Sequence, residues 1–116
     1  MPDVTLYHNP RCTKSRQTKA LLEDQGIEPV IVEYLKTPPD AATLRKLVKL
    51  LGIRPNELVR KKEAAFKELG LADRVEDDEA MINAMVEHPI LIERPIVVAN
   101  GQARVGRPPE SVREIL

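Results

Sequence analysis

The stretch VTLYHNPRCTKSRQTKALLEDQGIEPVIVEY, residues 4–34, decides how this chain folds. Val4 and Leu6 alternate with polar neighbours in a short run that stops at the turn signal Asn9-Pro10, which predicts a strand. From about Thr13, Ala20, Leu21 and Leu22 recur among polar residues as on an amphipathic helix, with Gly26 suited to its C-terminal end. Between Ile27 and Tyr34, Val30, Ile31 and Val32 form a β-branched run bounded by Pro29 and Lys36, a second strand. Strand, helix and strand within about 30 residues make a βαβ unit, in which the strands are parallel.

Beyond this unit the pattern turns helical. Asp40 follows Pro38-Pro39 as a candidate N-cap, Leu44, Leu47, Val48 and Leu51 recur at helical spacing, and Gly52 ends the run. Shorter helical segments are expected at Pro55–Arg60, at Glu63–Leu69 before Gly70, and at Asp78–Glu87. The last of these carries Met81, Ile82, Met85 and Val86 on one face and is stopped by Pro89. Strand character returns at Pro95–Ala99. Asn100-Gly101 is a two-residue hairpin signal, Ala103 and Val105 continue beyond it, and Gly106-Arg107-Pro108-Pro109-Glu110 opens a final helix through Leu116. The expected architecture is α/β: a four-stranded mixed sheet, built βαβ then ββα, with a helical block of about 40–88 inserted into a single domain of residues 1–116.

Composition narrows the function. The chain of 116 residues is 42% hydrophobic, and one domain of this size buries roughly 65% of its unfolded surface. Lysine plus arginine is 18 and aspartate plus glutamate is 18, so no basic excess points to nucleic acid. The aromatics are only Tyr7, Tyr34 and Phe66, a poor platform for base stacking. No signal peptide is indicated, and no apolar run approaches the roughly 20 residues of a membrane span. Cys12 is the sole cysteine, which excludes an internal disulfide. With two histidines it is too few for an ordinary cysteine/histidine zinc site, so no metal is expected, and a reducing cytoplasm is the natural compartment.

Cys12 stands between a strand end and a helix start, where unpaired N–H groups and the helix dipole favour an anion, and Arg11, Lys14 and Arg16 flank it. A packing role for a lone cysteine is the alternative, and this placement favours a nucleophilic thiolate. His8, four residues earlier, suits support of that thiolate as an imidazolium or a hydrogen-bond donor, or is a loop histidine without a role. His88, at a helix end, reads as an ordinary loop residue. Ser15 makes the motif Cys-x-x-Ser, so a disulfide on Cys12 has no internal thiol to resolve it. Ser15 either donates to the thiolate or simply starts the helix. The residue six after Cys12 is Thr18, not the arginine of a tyrosine-phosphatase loop. Arg94, just before Pro95, and Arg107, in a Gly-Arg-Pro turn, lie where loops gather at strand ends, and guanidinium forks suit tetrahedral oxyanions. Spacing alone does not single out Arg60.

Tyr7–Arg16, Glu93-Arg94-Pro95-Ile96-Val97-Val98 and Gly106–Glu110 together resemble the glutaredoxin-linked arsenate reductases of the ArsC family. The similarity runs from about Thr5 to Leu116. It implies a thioredoxin-like fold with Pro95 as its cis-proline and Cys12 as the nucleophile. It further implies an oxyanion triad of Arg60, Arg94 and Arg107, with His8 and Ser15 tuning the thiolate. The implied reaction reduces arsenate to arsenite with glutathione as co-substrate and glutaredoxin as partner, and no tightly bound cofactor. Two other functions fit parts of the pattern: a monothiol thiol-transferase, suggested by Cys-x-x-Ser, and a non-catalytic transcription regulator of the related Spx type. The latter usually keeps Cys-x-x-Cys, which this chain lacks.

Overall fold

Leu6 and Val97 face each other at the centre of a four-stranded sheet, in a computed structural model that describes residues 3–116. The strands are β1 (Thr5–Tyr7), β2 (Val30–Val32), β3 (Ile96–Ala99) and β4 (Gln102–Val105), in the spatial order β2-β1-β3-β4. β1 pairs with β2 in parallel, with Leu6 beside Ile31, and antiparallel to β3. β3 and β4 form the hairpin announced by Asn100-Gly101, which takes the positive φ values of 53° and 74° that a tight hairpin turn requires. The sheet is mixed, as the βαβ–ββα reading requires.

The chain divides into two compact units, one holding the residues up to Thr37 together with Arg94–Leu116, the other Pro38–Glu93. In the first, α1 (Thr13–Asp24) crosses between the parallel strands. Its Leu21 and Leu22 pack with Val4, Leu6, Val97, Ala99, Val112 and Ile115 into one buried cluster. The last two residues sit on a 3-10 turn, Pro109–Ile115, which replaces the expected final α-helix. Pro109 opens that turn, where its missing N–H is no loss.

The second unit is helical: α2 (Ala41–Leu51), α3 (Pro55–Leu58), α4 (Ala64–Glu68) and α5 (Asp78–Glu87), with 3-10 turns at Leu71–Arg74 and Pro89–Leu91. Asp40 caps α2 by accepting from the Thr43 N–H at 2.8 Å, and Gly52 ends it in the left-handed conformation at φ 70°. α5 packs against α2 and α3 and buries Met81, Ile82, Ala84 and Met85. Val86, expected on that face, is half-buried. Val59, after α3, forms a bridge with Ile92 at the end of this unit: the Arg60 N–H donates to the Leu91 carbonyl at 2.7 Å, and the Glu93 N–H to the Leu58 carbonyl at 2.9 Å.

β2 is confined to the β-branched run Val30–Val32 within the Ile27–Tyr34 stretch. At one end the Ile27 N–H is spent closing α1 on the Leu22 carbonyl, and Pro29 has no N–H to give a ladder. At the other, Lys36 and Thr37 both donate to the Glu33 carbonyl in a tight turn. β2 is also a sheet edge, with Val30 60% exposed, so its β-branched run reports pairing rather than burial.

Candidate active site

Cys12 occupies the N-cap of α1, with extended backbone (φ −93°, ψ 124°). Its N–H donates to the Asn9 carbonyl at 3.0 Å, which closes the turn after Asn9-Pro10, and its own carbonyl accepts from Arg16 at 3.0 Å. The side chain is buried, and no acidic residue stands in the first turn of α1. Burial pushes the thiol up. The Ser15 N–H, the Arg94 guanidinium, the Lys14 N–H and the Arg107 guanidinium together outweigh it, holding Cys12 below its ordinary value. Together these groups make the Cys12 thiol easier to ionise than an ordinary cysteine.

Arg107 reaches this sulfur. Its Nη2 lies 3.7 Å from Cys12 Sγ, while its Nε donates to the Arg94 carbonyl at 2.9 Å. Arg94 precedes Pro95 through a cis peptide bond, and Arg107 precedes Pro108 through another. The two arginines flank the β3–β4 hairpin, so the antiparallel pairing of Ile96 with Val105 brings them together. Arg94 and Arg107 thus stand with Cys12, as their positions at strand ends predict.

His8 is 94% shielded from solvent and its Nδ1 lies 2.6 Å from Ser15 Oγ. Burial lowers its pKa, Lys19 and Arg16 add to the effect, and Glu33 opposes them. These influences disfavour the imidazolium relative to a free histidine. Ser15 is wholly buried and also accepts from the Asn9 N–H at 3.0 Å, so its hydroxyl ties the Asn9 turn to α1. Arg60 lies in the second unit, half-buried, with its guanidinium paired to Glu63. His88 ends α5 and donates its N–H to the Ala84 carbonyl at 2.8 Å. Among the described residues no group of three or more His, Cys, Asp or Glu is placed to hold a metal ion. Among those residues no helix is long and apolar enough to cross a membrane.

The model of the ArsC family matches residues 7–115. The chain belongs to that family. Within it, an arsenate reductase of Neisseria meningitidis is 45% identical over 117 residues, covering both chains fully. A protein of Escherichia coli K12 named only YfgD, uncharacterized, is 60% identical over 114 residues, 97% of this chain and 96% of that one. The solved structure of an arsenate reductase from Vibrio cholerae superposes with a TM-score of 0.95 at 55% identity, covering 98% of each chain. The ArsC fold is thioredoxin-like, and the mixed sheet described above is its frame.

The backbone donors of Lys14 and Ser15 are what sequence reading left implicit. Their side-chain identities say nothing of the service. The signal was positional: they are the second and third helical residues after an N-cap, the places whose N–H groups lack a partner within the helix.

Proposed function

We propose that the chain is an arsenate reductase that uses glutathione and glutaredoxin, with Cys12 as nucleophile. The observation that carries this reading is the Arg107 guanidinium 3.7 Å from a buried thiol whose pKa is lowered, in a chain whose ArsC relatives include arsenate reductases. Arsenate is a tetrahedral oxyanion, and paired guanidinium N–H groups match its oxygens. Arg94 and Arg107 would hold it against Cys12, and the family resemblance extends the set to Arg60.

The thiolate attacks arsenic, forming a sulfur–arsenic bond as an arsenate oxygen leaves as water after protonation. Glutathione displaces a second oxygen in the same way and places its own sulfur on arsenic(V). A glutaredoxin thiolate then attacks the glutathione sulfur. The glutathione sulfur–arsenic bond breaks and its electron pair stays on arsenic, giving arsenic(III) still bound to Cys12 and a glutaredoxin–glutathione disulfide. Water releases arsenite and restores the Cys12 thiol. Ser15 has no thiol to intercept this sequence, which fits an external reductant. His8 acts through the Ser15 hydroxyl, 2.6 Å from its Nδ1. A free thiol of this kind belongs in a reducing compartment, and the cytoplasm is the proposed one.

The test is arsenite formation by purified protein with glutathione and glutaredoxin. Cys12→Ser should abolish turnover and leave the folded state intact, and Arg60→Ala should raise the KM for arsenate. Turnover retained without the thiol, or absent from the folded wild-type chain, excludes the reading. Release of glutathione from a glutathionylated protein by that same inactive wild-type chain would identify a thiol-transferase instead.

A further inference from the structure

Gly106 differs from the other glycines. Gly26, Gly52, Gly70 and Gly101 occupy left-handed positions with open space around them, whereas a Cβ at Gly106 would lie 2.5 Å from Thr18 Oγ1 and 2.8 Å from Pro95 Cγ. Neither neighbour can easily retreat. Thr18 is wholly buried on α1, its branched side chain has few rotamers, and its hydroxyl donates to the Lys14 carbonyl at 2.9 Å. Pro95 is buried, and its carbonyl accepts the Gly106 N–H at 2.9 Å. Gly106 therefore sits flush against α1 one turn beyond the Lys14 and Ser15 N–H groups that face the Cys12 sulfur. The next residue is Arg107, anchored at 2.9 Å to the Arg94 carbonyl and reaching Cys12 at 3.7 Å. The contact with sulfur is long, so a retreat of the turn by a few tenths of an ångström weakens it.

We propose that Gly106 is a positioning residue: its bare Cα lets the 105–107 turn seat against Thr18 and Pro95, and that depth sets the reach of Arg107 toward Cys12. A side chain at 106 leaves the guanidinium chemically intact and moves it outward. The inference rests on Cys12 being the nucleophile that Arg107 serves, and it adds Thr18, whose role is to be the wall.

The test is the rate of Cys12 alkylation by iodoacetamide against pH, which reads the thiol without arsenate, beside the KM and kcat for arsenate. In Gly106→Ala the alkylation midpoint should move to higher pH. The KM should rise about tenfold, the worth of one charge-assisted hydrogen bond, while kcat changes less. Removing the wall should restore both: Gly106→Ala/Thr18→Ala should return most of the way to the midpoint and KM of Thr18→Ala alone. In an Arg107→Ala background, Gly106→Ala should add nothing to either readout. An unmoved midpoint in Gly106→Ala, or effects that add in the Arg107→Ala background, overturns the proposal. Should Gly106→Ala fail to fold, the double variant decides: recovery of the fold supports the Thr18 contact, and failure of both, with Pro95 Cγ still 2.8 Å from the new Cβ, puts the clash at Pro95 and overturns Thr18 as the wall. A midpoint that moves in a protein without arsenate turnover removes the reductase and leaves the positioning role in place. Arsenate turnover with an unmoved midpoint does the reverse.

Discussion

Cys12 joins two properties that usually oppose each other, burial and a lowered thiol pKa. Burial alone would raise that pKa, and the Ser15 and Lys14 N–H groups with the Arg94 and Arg107 charges outweigh it. Because the thiolate is the reactive form, lowering the pKa moves the rise in reactivity to lower pH. The alkylation rate of wild-type protein should therefore rise with a midpoint below that of a free cysteine, whose pKa is about 8.5. A midpoint at or above that value contradicts the activation. At this scale the sequence was legible where a residue's position on the chain dictated its chemistry. Cys12 at a strand-to-helix junction, and Arg94 and Arg107 at strand ends, fall in that class. The charge state of His8 was not legible, because it depends on burial and on Lys19, Arg16 and Glu33. Nor was the use of Thr18, which showed only that a phosphatase arginine was missing. Its contact with Gly106 spans distant parts of the chain and leaves no periodic trace.

Among the elements, those with a chemical marker at the end were read well. Asp40 begins α2, Gly52 ends it, and Asn100-Gly101 makes the hairpin, since each residue type supplies the group or conformation that the boundary demands. The Asp40 cap is testable. Its carboxylate accepts the Thr43 N–H, which holds its pKa below the ordinary 3.8. A lowered carboxylate pKa contributes stability above the unfolded value and loses it as pH falls through the folded one. Asp40→Ala should thus lower the urea midpoint at pH 7, and the gap to wild type should narrow as pH drops below 3.8. A gap that is constant with pH would show that the carboxylate charge is immaterial. The 3-10 turns at Leu71–Arg74 and Pro89–Leu91, and the Val59–Ile92 bridge, had no such marker. Short turns and single bridges are set by what the chain must reach across space. Pro89 was read as a stop to α5, and it also opens the next turn.

Across the whole molecule, the βαβ and ββα segments flank a helical unit of residues 38–93 and meet in one sheet. Leu6 is fully buried in the cluster that joins β1, α1, β3 and the Pro109–Ile115 turn. Leu6→Ala should cost about 3 kcal/mol in urea unfolding, through lost burial and an incompletely filled cavity. A cost below about 1 kcal/mol would mean that the cluster collapses around the gap. The parallel unit and the hairpin were legible because crossover and hairpin rules leave few choices, whereas the β1–β3 pairing that joins them is long-range and left no local mark.

The contact between Cys12 and Arg107 joins residues 95 apart in sequence. A ribosome thus delivers the thiol early and the guanidinium late, and through the intervening synthesis the charge of Arg107 is missing beside Cys12. The speed at which an alkylating reagent finds it becomes a clock for the moment the two ends of the fold meet.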